Sequence, residues 1–280
     1  MSYTYTVEPE TPTVPLTLAA GERHGVVYTK PWVVDLLLDL AGYSVNDDLA
    51  GSVAVEPAAG NGSFLAPMVR RLVASCRRQG RPLTDMATSL LAYELDPASA
   101  QTARRTVIQT LRELDVSAHQ AEALATRWVR TGDYLLEAPT LPPADVVIGN
   151  PPYIRLEEME DAASRRYRHT YRTMVGRADL YVAFFEAALK SLTPQGVCAF
   201  ICADRWMRNQ YGTELRRLVT AGYAVETVVE MHRADAFACQ VSAYPAITVI
   251  RRAAQGSAVV ASVGAGVEQH DVPTLAGAAR

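Results

Sequence analysis

Val53-Ala54-Val55-Glu56-Pro57-Ala58-Ala59-Gly60-Asn61-Gly62-Ser63-Phe64 reads as an apolar strand, a glycine-bearing turn and the start of a helix. That order builds a parallel sheet, because a helix must carry the chain back before the next strand can lie beside the first. Gly60 and Gly62 let the backbone pass close to a ligand, although a Gly-x-Gly pair alone also fits an ordinary tight turn. The pattern continues on both sides. Thr29-Lys30-Pro31 opens a helix to about Ala41, with Pro31 suited to the first turn and Gly42 to the stop. Helices follow over Phe64 to Arg78, Pro97 to Leu114 and Ala118 to Thr126, and strands over Leu90 to Glu94, Trp128 to Thr131 and Ala144 to Gly149.

Further on, Leu180 to Leu192 is an amphipathic helix with Tyr181, Phe184, Phe185 and Leu189 on its apolar face. Gly196 to Cys202 is a strand, Thr213 to Ala221 a helix, and Tyr223 to Glu230 and Tyr244 to Arg251 are strands joined by a loop, which suits an antiparallel pair. The fold expected is α/β: a doubly wound, mostly parallel seven-stranded sheet of Rossmann-like type with an antiparallel strand at one edge. Residues 1–20 are Thr/Pro-rich and predict a loose arm, residues 21–252 one catalytic unit, and residues 253–280 an Ala/Gly/Val-rich tail without a strong signal.

The 280 residues are 49% hydrophobic and 20% charged, ample for a core. No apolar run spans a bilayer and no signal pattern opens the chain, so a cytoplasmic protein without membrane contact is expected. Cys76, Cys198, Cys202 and Cys239 lack metal-ligand spacing, and none follows a proline as a Pro-Cys nucleophile would. The net charge of −3 argues weakly against binding nucleic acid by the whole surface, but its distribution matters more. Arg155, Arg165, Arg166, Arg168, His169, Arg172 and Arg177 interleave with Tyr153, Tyr167 and Tyr171. That strip suits phosphate contact and base stacking. It equally suits a solvated helix face balanced by Glu157, Glu158, Glu160 and Asp161.

Acids end successive strands. Glu56 would repel a pyrophosphate and attract a cationic amino-acid group, Glu94 can accept ribose hydroxyls, and Asp133, followed by Tyr134, can accept an adenine amino group. An adenosine with a positively charged tail describes S-adenosylmethionine better than NAD. Taken singly each acid also suits a helix cap, Asp133 above all. The fourth strand ends in Asn150-Pro151-Pro152-Tyr153. Its amide oxygen and a proline-fixed carbonyl can accept the two hydrogens of an exocyclic amino group, and the tyrosine can lie against a planar base.

In motif order, residues 24 to 251 resemble the gamma-class N6-adenine DNA methyltransferases of restriction–modification systems. Tyr28-Thr29-Lys30-Pro31 resembles the segment touching the methionine part of the cofactor, and Glu56 to Phe64 the cofactor loop that includes Ala58, Gly60 and Gly62. Glu94 resembles the ribose acid, Asp133-Tyr134 the adenine contact, and Asn150-Pro151-Pro152-Tyr153 the catalytic tetrapeptide. Phe184 resembles the phenylalanine that packs on the cofactor adenine. Phe237, in the loop between the last two strands, resembles the aromatic that packs with Tyr153 on a flipped base, near Arg155. The resemblance implies a Rossmann-like methyltransferase fold, S-adenosylmethionine as cofactor, DNA as partner, direct transfer to adenine N6, and no metal. That class carries a recognition domain after the catalytic fold, so recognition is expected from a missing C-terminal domain or a separate subunit. Two alternatives stand beside it: a glutamine side-chain N5 protein methyltransferase, which shares the tetrapeptide, and an inactive methyltransferase-fold subunit of a defence complex, which the intact acids and tetrapeptide disfavour.

Overall fold

Alternate residues of the central strands point to opposite apolar layers, and this period of two decides the architecture. Ala54, Leu90, Ala92, Val146, Ile148, Val197, Ala199 and Ile201 join one buried cluster, while Val55, Leu91, Tyr93, Val147, Cys198, Phe200 and Cys202 join the other. A computed structural model describes residues 28–159, 161–238 and 244–279. The expected arm over residues 1–20 lies outside them.

The strands are β1 (Ala54–Glu56), β2 (Leu90–Glu94), β3 (Val129–Thr131), β4 (Ala144–Gly149), β5 (Leu192–Ala203), β6 (Ala224–Glu230), β7 (Pro245–Arg251) and β8 (Val259–Ser262). They form one sheet in the order β3-β2-β1-β4-β5-β7-β6-β8. β7 runs antiparallel to both β5 and β6, and the other pairs are parallel. One face carries residues of α1 (Pro31–Leu40), α2 (Leu65–Arg78), α3 (Pro97–Glu113), α4 (Ala118–Trp128) and α9 (Val272–Ala278). The other carries α5 (Tyr134–Glu137), α6 (Asp161–Thr170), α7 (Tyr181–Ser191) and α8 (Thr213–Gly222).

Local chemistry sets the boundaries. Gly42, at φ +72°, ends α1, with Tyr43 N–H donating to Leu38 O and Gly42 N–H to Asp39 O, the paired bonds of a Schellman stop. Asp96 caps α3 by accepting from Ser99 N–H at 2.7 Å, ahead of Pro97. Arg71 on α2 binds Asp39 and Asp35 and clamps α2 to α1.

The expected fold is present, with one addition. Residues 253–280, which carry no periodic signal, supply an eighth strand and a helix. β8 pairs with β6 in parallel, so the sheet continues one strand beyond the β6/β7 antiparallel pair. Val272, Ala276 and Ala279 pack into the cluster that holds α1, and Thr227 donates to Ala279 O at 3.0 Å. Such short, alanine-rich elements are held by partners distant in sequence, which periodicity cannot report.

From β1 the chain moves outward through β2 to β3, then crosses back to β4 on the other side of β1. That reversal opens a crevice beyond the carboxyl ends of β1 and β4, where ligands of such sheets bind. Gly62 packs the turn after β1 against α3. At φ +89°, it lies so close to α3 that a Cβ there would stand 3.3 Å from the Ala103 Cα. Gly62→Ala is therefore expected to destabilise the protein by about 1–3 kcal/mol, measured by urea unfolding. An unchanged midpoint would show that the turn is not fixed.

Candidate active site

β1 delivers Glu56 to the crevice, and the chain turns at once through Pro57 to Gly60. Gly60 adopts φ +55°, and its N–H donates to Glu94 Oε2 at 2.8 Å. Glu94, at the end of β2, accepts a second backbone donor from Asp96 at 2.8 Å through Oε1. One carboxylate thus ties the glycine turn to the start of α3. Asp133, at the end of β3, accepts from Leu135 N–H at 3.0 Å as the cap of α5. Its other oxygen accepts from the Tyr167 hydroxyl at 2.6 Å.

These strand ends surround a single cavity of about 460 Å³. Thr29, Glu56, Ala58, Gly60, Glu94, Asp133, Tyr134, Asn150, Pro152 and Phe184, all expected site residues, line it. The Tyr134 and Phe184 rings stack with centroids 5.8 Å apart at 21°, forming an apolar wall. Asn150 Nδ2 donates to Thr29 Oγ1 at 3.2 Å, which fixes the nitrogen end of the amide toward Thr29. Thr29 is itself pinned, since the segment before α1 bridges to the loop before β7. Lys30 N–H donates to Ala236 O and Ala238 N–H to Tyr28 O, both at 2.9 Å, and Lys30 pairs with Asp235.

Gly62, Pro151, Tyr153, Arg155 and Phe237 do not line the cavity. Gly62 packs on α3 instead of facing the crevice. Tyr153 and Phe237 stand together, edge to face at 6.5 Å and 81°, and Tyr181 also meets Tyr153, at 6.4 Å. The Tyr153 hydroxyl donates to Ile201 O at 3.3 Å. Arg155 is exposed and bridges by its backbone to Asp179.

Residues 143–237 match the Eco57I restriction-modification methylase family. The stretch runs from the start of β4 through the tetrapeptide to Phe237. Over 259 residues the chain is 39% identical to the Type II methyltransferase M.PaeR7I of Pseudomonas aeruginosa, covering 91% of this chain and 45% of that protein. It is 40% identical over 235 residues to M.XhoI of Xanthomonas vasicola, covering 82% and 43%. This chain carries an Eco57I restriction-modification methylase domain. It spans a little under half the length of these relatives. Its fold is that of the type I restriction-modification methyltransferase subunit from Streptococcus thermophilus, with a TM-score of 0.60 at 19% identity over 84% of this chain and 46% of that one.

In this methylase domain Tyr167 and Tyr171 of the arginine–tyrosine strip do not form an exposed stacking platform. Tyr167 and Tyr171 are buried against the core, while Arg165, Arg166 and Arg172 point outward. Their i, i+4 spacing along α6 and just past its end is the signal for a packed face, and interleaving along the sequence hides it. Arg168 donates to Met174 O and Gly176 O, and Arg177 pairs with Glu157. Asp204, Glu230 and His232 form the one cluster of metal-ligating groups among the described residues. Arg208 already reaches both of its acids, at 3.7 and 3.5 Å.

Glu56 carries the main electrostatic feature. It is 1% exposed, and its Oε2 has no hydrogen-bond partner among the described residues. Burial, followed by the neighbouring Glu94 charge, holds its carboxyl well above the ordinary range. Burial likewise raises Glu94, against its backbone donors. A carboxyl raised in the folded state costs stability as pH rises. The contribution of these two carboxyls is fully present below the ordinary carboxylate range and is lost as pH climbs through the raised value. Glu56→Gln is expected to raise the melting temperature of the ligand-free domain at neutral pH and to flatten that decline. A variant with the wild-type profile would show that Glu56 ionises without penalty.

Proposed function

We propose that this domain transfers the methyl group of S-adenosylmethionine to the N6 amino group of an adenine in DNA, with the base swung out of the helix. One observation carries the reading: Asn150, at the end of β4, opens onto the same cavity as Glu56, Glu94 and Asp133. The donor set fits the cofactor. The unpartnered, buried Glu56 carboxylate suits a cationic ammonium, since a buried charge needs a counter-charge. Glu94 suits the ribose hydroxyls and Asp133 the adenine amino group. Ala58 and Gly60 offer close backbone, and Tyr134 with Phe184 an apolar wall. A pyrophosphate would meet three carboxylates, which disfavours a dinucleotide.

When bound, S-adenosylmethionine supplies an electrophilic methyl group on sulfonium. The residues' task is then to make an amine attack it. Adenine N6 is a weak nucleophile because its lone pair is delocalised into the ring. The Asn150 side-chain oxygen and the Pro151 carbonyl would accept its two hydrogens and draw the nitrogen toward tetrahedral geometry, freeing the lone pair. Thr29 holds the nitrogen end of the Asn150 amide, which fixes the plane of that side chain. Tyr153 and Phe237 would grip the base face, and extrusion from the duplex exposes it. The chemistry is positioning and electrostatic preorganisation.

Exposed Arg165 and Arg166 on α6 and Arg172 just beyond it, with Arg155 nearby in the chain, suit phosphate contacts. Reading of the target sequence is assigned to regions corresponding to the remaining length of the relatives, or to a partner subunit. Asn150→Ala is expected to abolish transfer of label from the methyl donor to adenine in duplex DNA, while calorimetry still detects donor binding. Full activity in that variant, or label appearing on protein instead of DNA, rejects the reading. Tyr153→Ala should weaken capture of a target placed opposite an abasic site by about 1–3 kcal/mol, the loss of one stacking partner. Unchanged affinity would remove Tyr153 from the base site.

A further inference from the structure

Tyr167 belongs to none of the motifs, yet it meets the cofactor cavity from α6. Its ring is 5% exposed, and its hydroxyl donates to Asp133 Oδ2 at 2.6 Å. Oδ1 of the same carboxylate accepts from Leu135 N–H at 3.0 Å. Held at both oxygens, the carboxylate cannot rotate without breaking a bond. Each oxygen keeps a second lone pair, because an ionised carboxylate has about four acceptor sites. One turn further, just past the end of α6, the Tyr171 hydroxyl donates to Leu135 O at 2.5 Å. Arg168 anchors the end of the helix to the carbonyls of Met174 and Gly176. α6 and the residue that follows it therefore grip the turn Asp133–Leu135 with two tyrosines, only one of which touches the acid.

We infer that Tyr167 is a positioning residue that fixes the Asp133 carboxylate so that the site reads the 6-amino group of the cofactor's purine. The inference rests on the proposed function, in which Asp133 faces that amino group. A site built to accept a hydrogen bond rejects an analogue that lacks the donor, because its polar group is then left without a partner. The rejection is only as sharp as the acceptor is rigid. Without the tyrosine hydroxyl, Oδ2 is free to turn or to take up water, and the purine loses its fixed reference.

The test uses the full chain and two probes: S-adenosylhomocysteine, and its analogue whose purine carries hydrogen in place of the 6-amino group. Titration calorimetry gives the affinity ratio for the wild type, Tyr167→Phe and Tyr171→Phe. The wild type is expected to prefer the adenine compound by about 10-fold or more, on the order of one good hydrogen bond. Tyr167→Phe should reduce that ratio to about 2- or 3-fold, mainly by weakening the adenine compound, with the amino-less analogue bound as before. Tyr171→Phe removes a hydroxyl from the same segment and should leave the ratio intact. Equal weakening of both compounds in Tyr167→Phe, or an equal fall in ratio in Tyr171→Phe, assigns the effect to packing of α6 and overturns the inference. A wild-type ratio near one overturns it as well. A wild type that binds neither compound overturns the proposed function, and the inference with it.

Discussion

The parallel pairing of β1 with β4 is the constraint on which the site depends. Ala54 lies beside Val146 and Val55 beside Val147, so both strands release their chains on the same side of the sheet. The glycine turn after β1 and the tetrapeptide after β4 therefore become neighbours, although ninety-odd residues of sequence separate them. A helix must follow β1 on one face and another must precede the return to β4, since parallel strands cannot be joined by a hairpin. With the crossover reversed at this point, a crevice opens, and acids at the ends of β3, β2 and β1 face an amide at the end of β4.

The three acids are not equivalent. Glu94 is fixed by two backbone N–H donors and Asp133 by a backbone donor and a tyrosine hydroxyl, so both are oriented before any ligand arrives. Glu56 Oε2 has no such donor and is buried beside Glu94. Burial of that carboxyl is unfavourable when it ionises, and a cation placed beside it would offset the cost. Function and marginal stability meet in one side chain, as expected where a buried polar group awaits a partner.

Around this centre the structure adds clamps. The segment before α1 is laced to the loop before β7, and it carries the threonine that receives the Asn150 amide. That same loop carries Phe237 to the edge of Tyr153. α6 turns Tyr167 inward onto Asp133 and Arg165 and Arg166 outward. These contacts link the two sides of the crevice without extending the sheet.

Much of the fold was legible because buried parallel strands and amphipathic helices leave local marks. The runs at Leu90–Glu94 and Ala144–Gly149, Pro31 at the start of α1, Gly42 at its end and Asp96 before Pro97 all declare their roles within a few residues. The site residues that were legible, Glu56, Glu94, Asp133 and Asn150, stand at strand ends, where position in the chain nearly dictates position in space. β8 and α9 left no such mark, because β8 is a short edge strand and α9 a small alanine-rich helix, both held by distant partners. The sequence by itself determined which residue types stand at each strand end, since hydrophobic period and turn chemistry are local. Only the tertiary structure decided that Gly62 serves helix packing, that Tyr167 holds Asp133 and that Thr29 holds Asn150. Those outcomes depend on distances between segments far apart in the chain, and no local pattern encodes them.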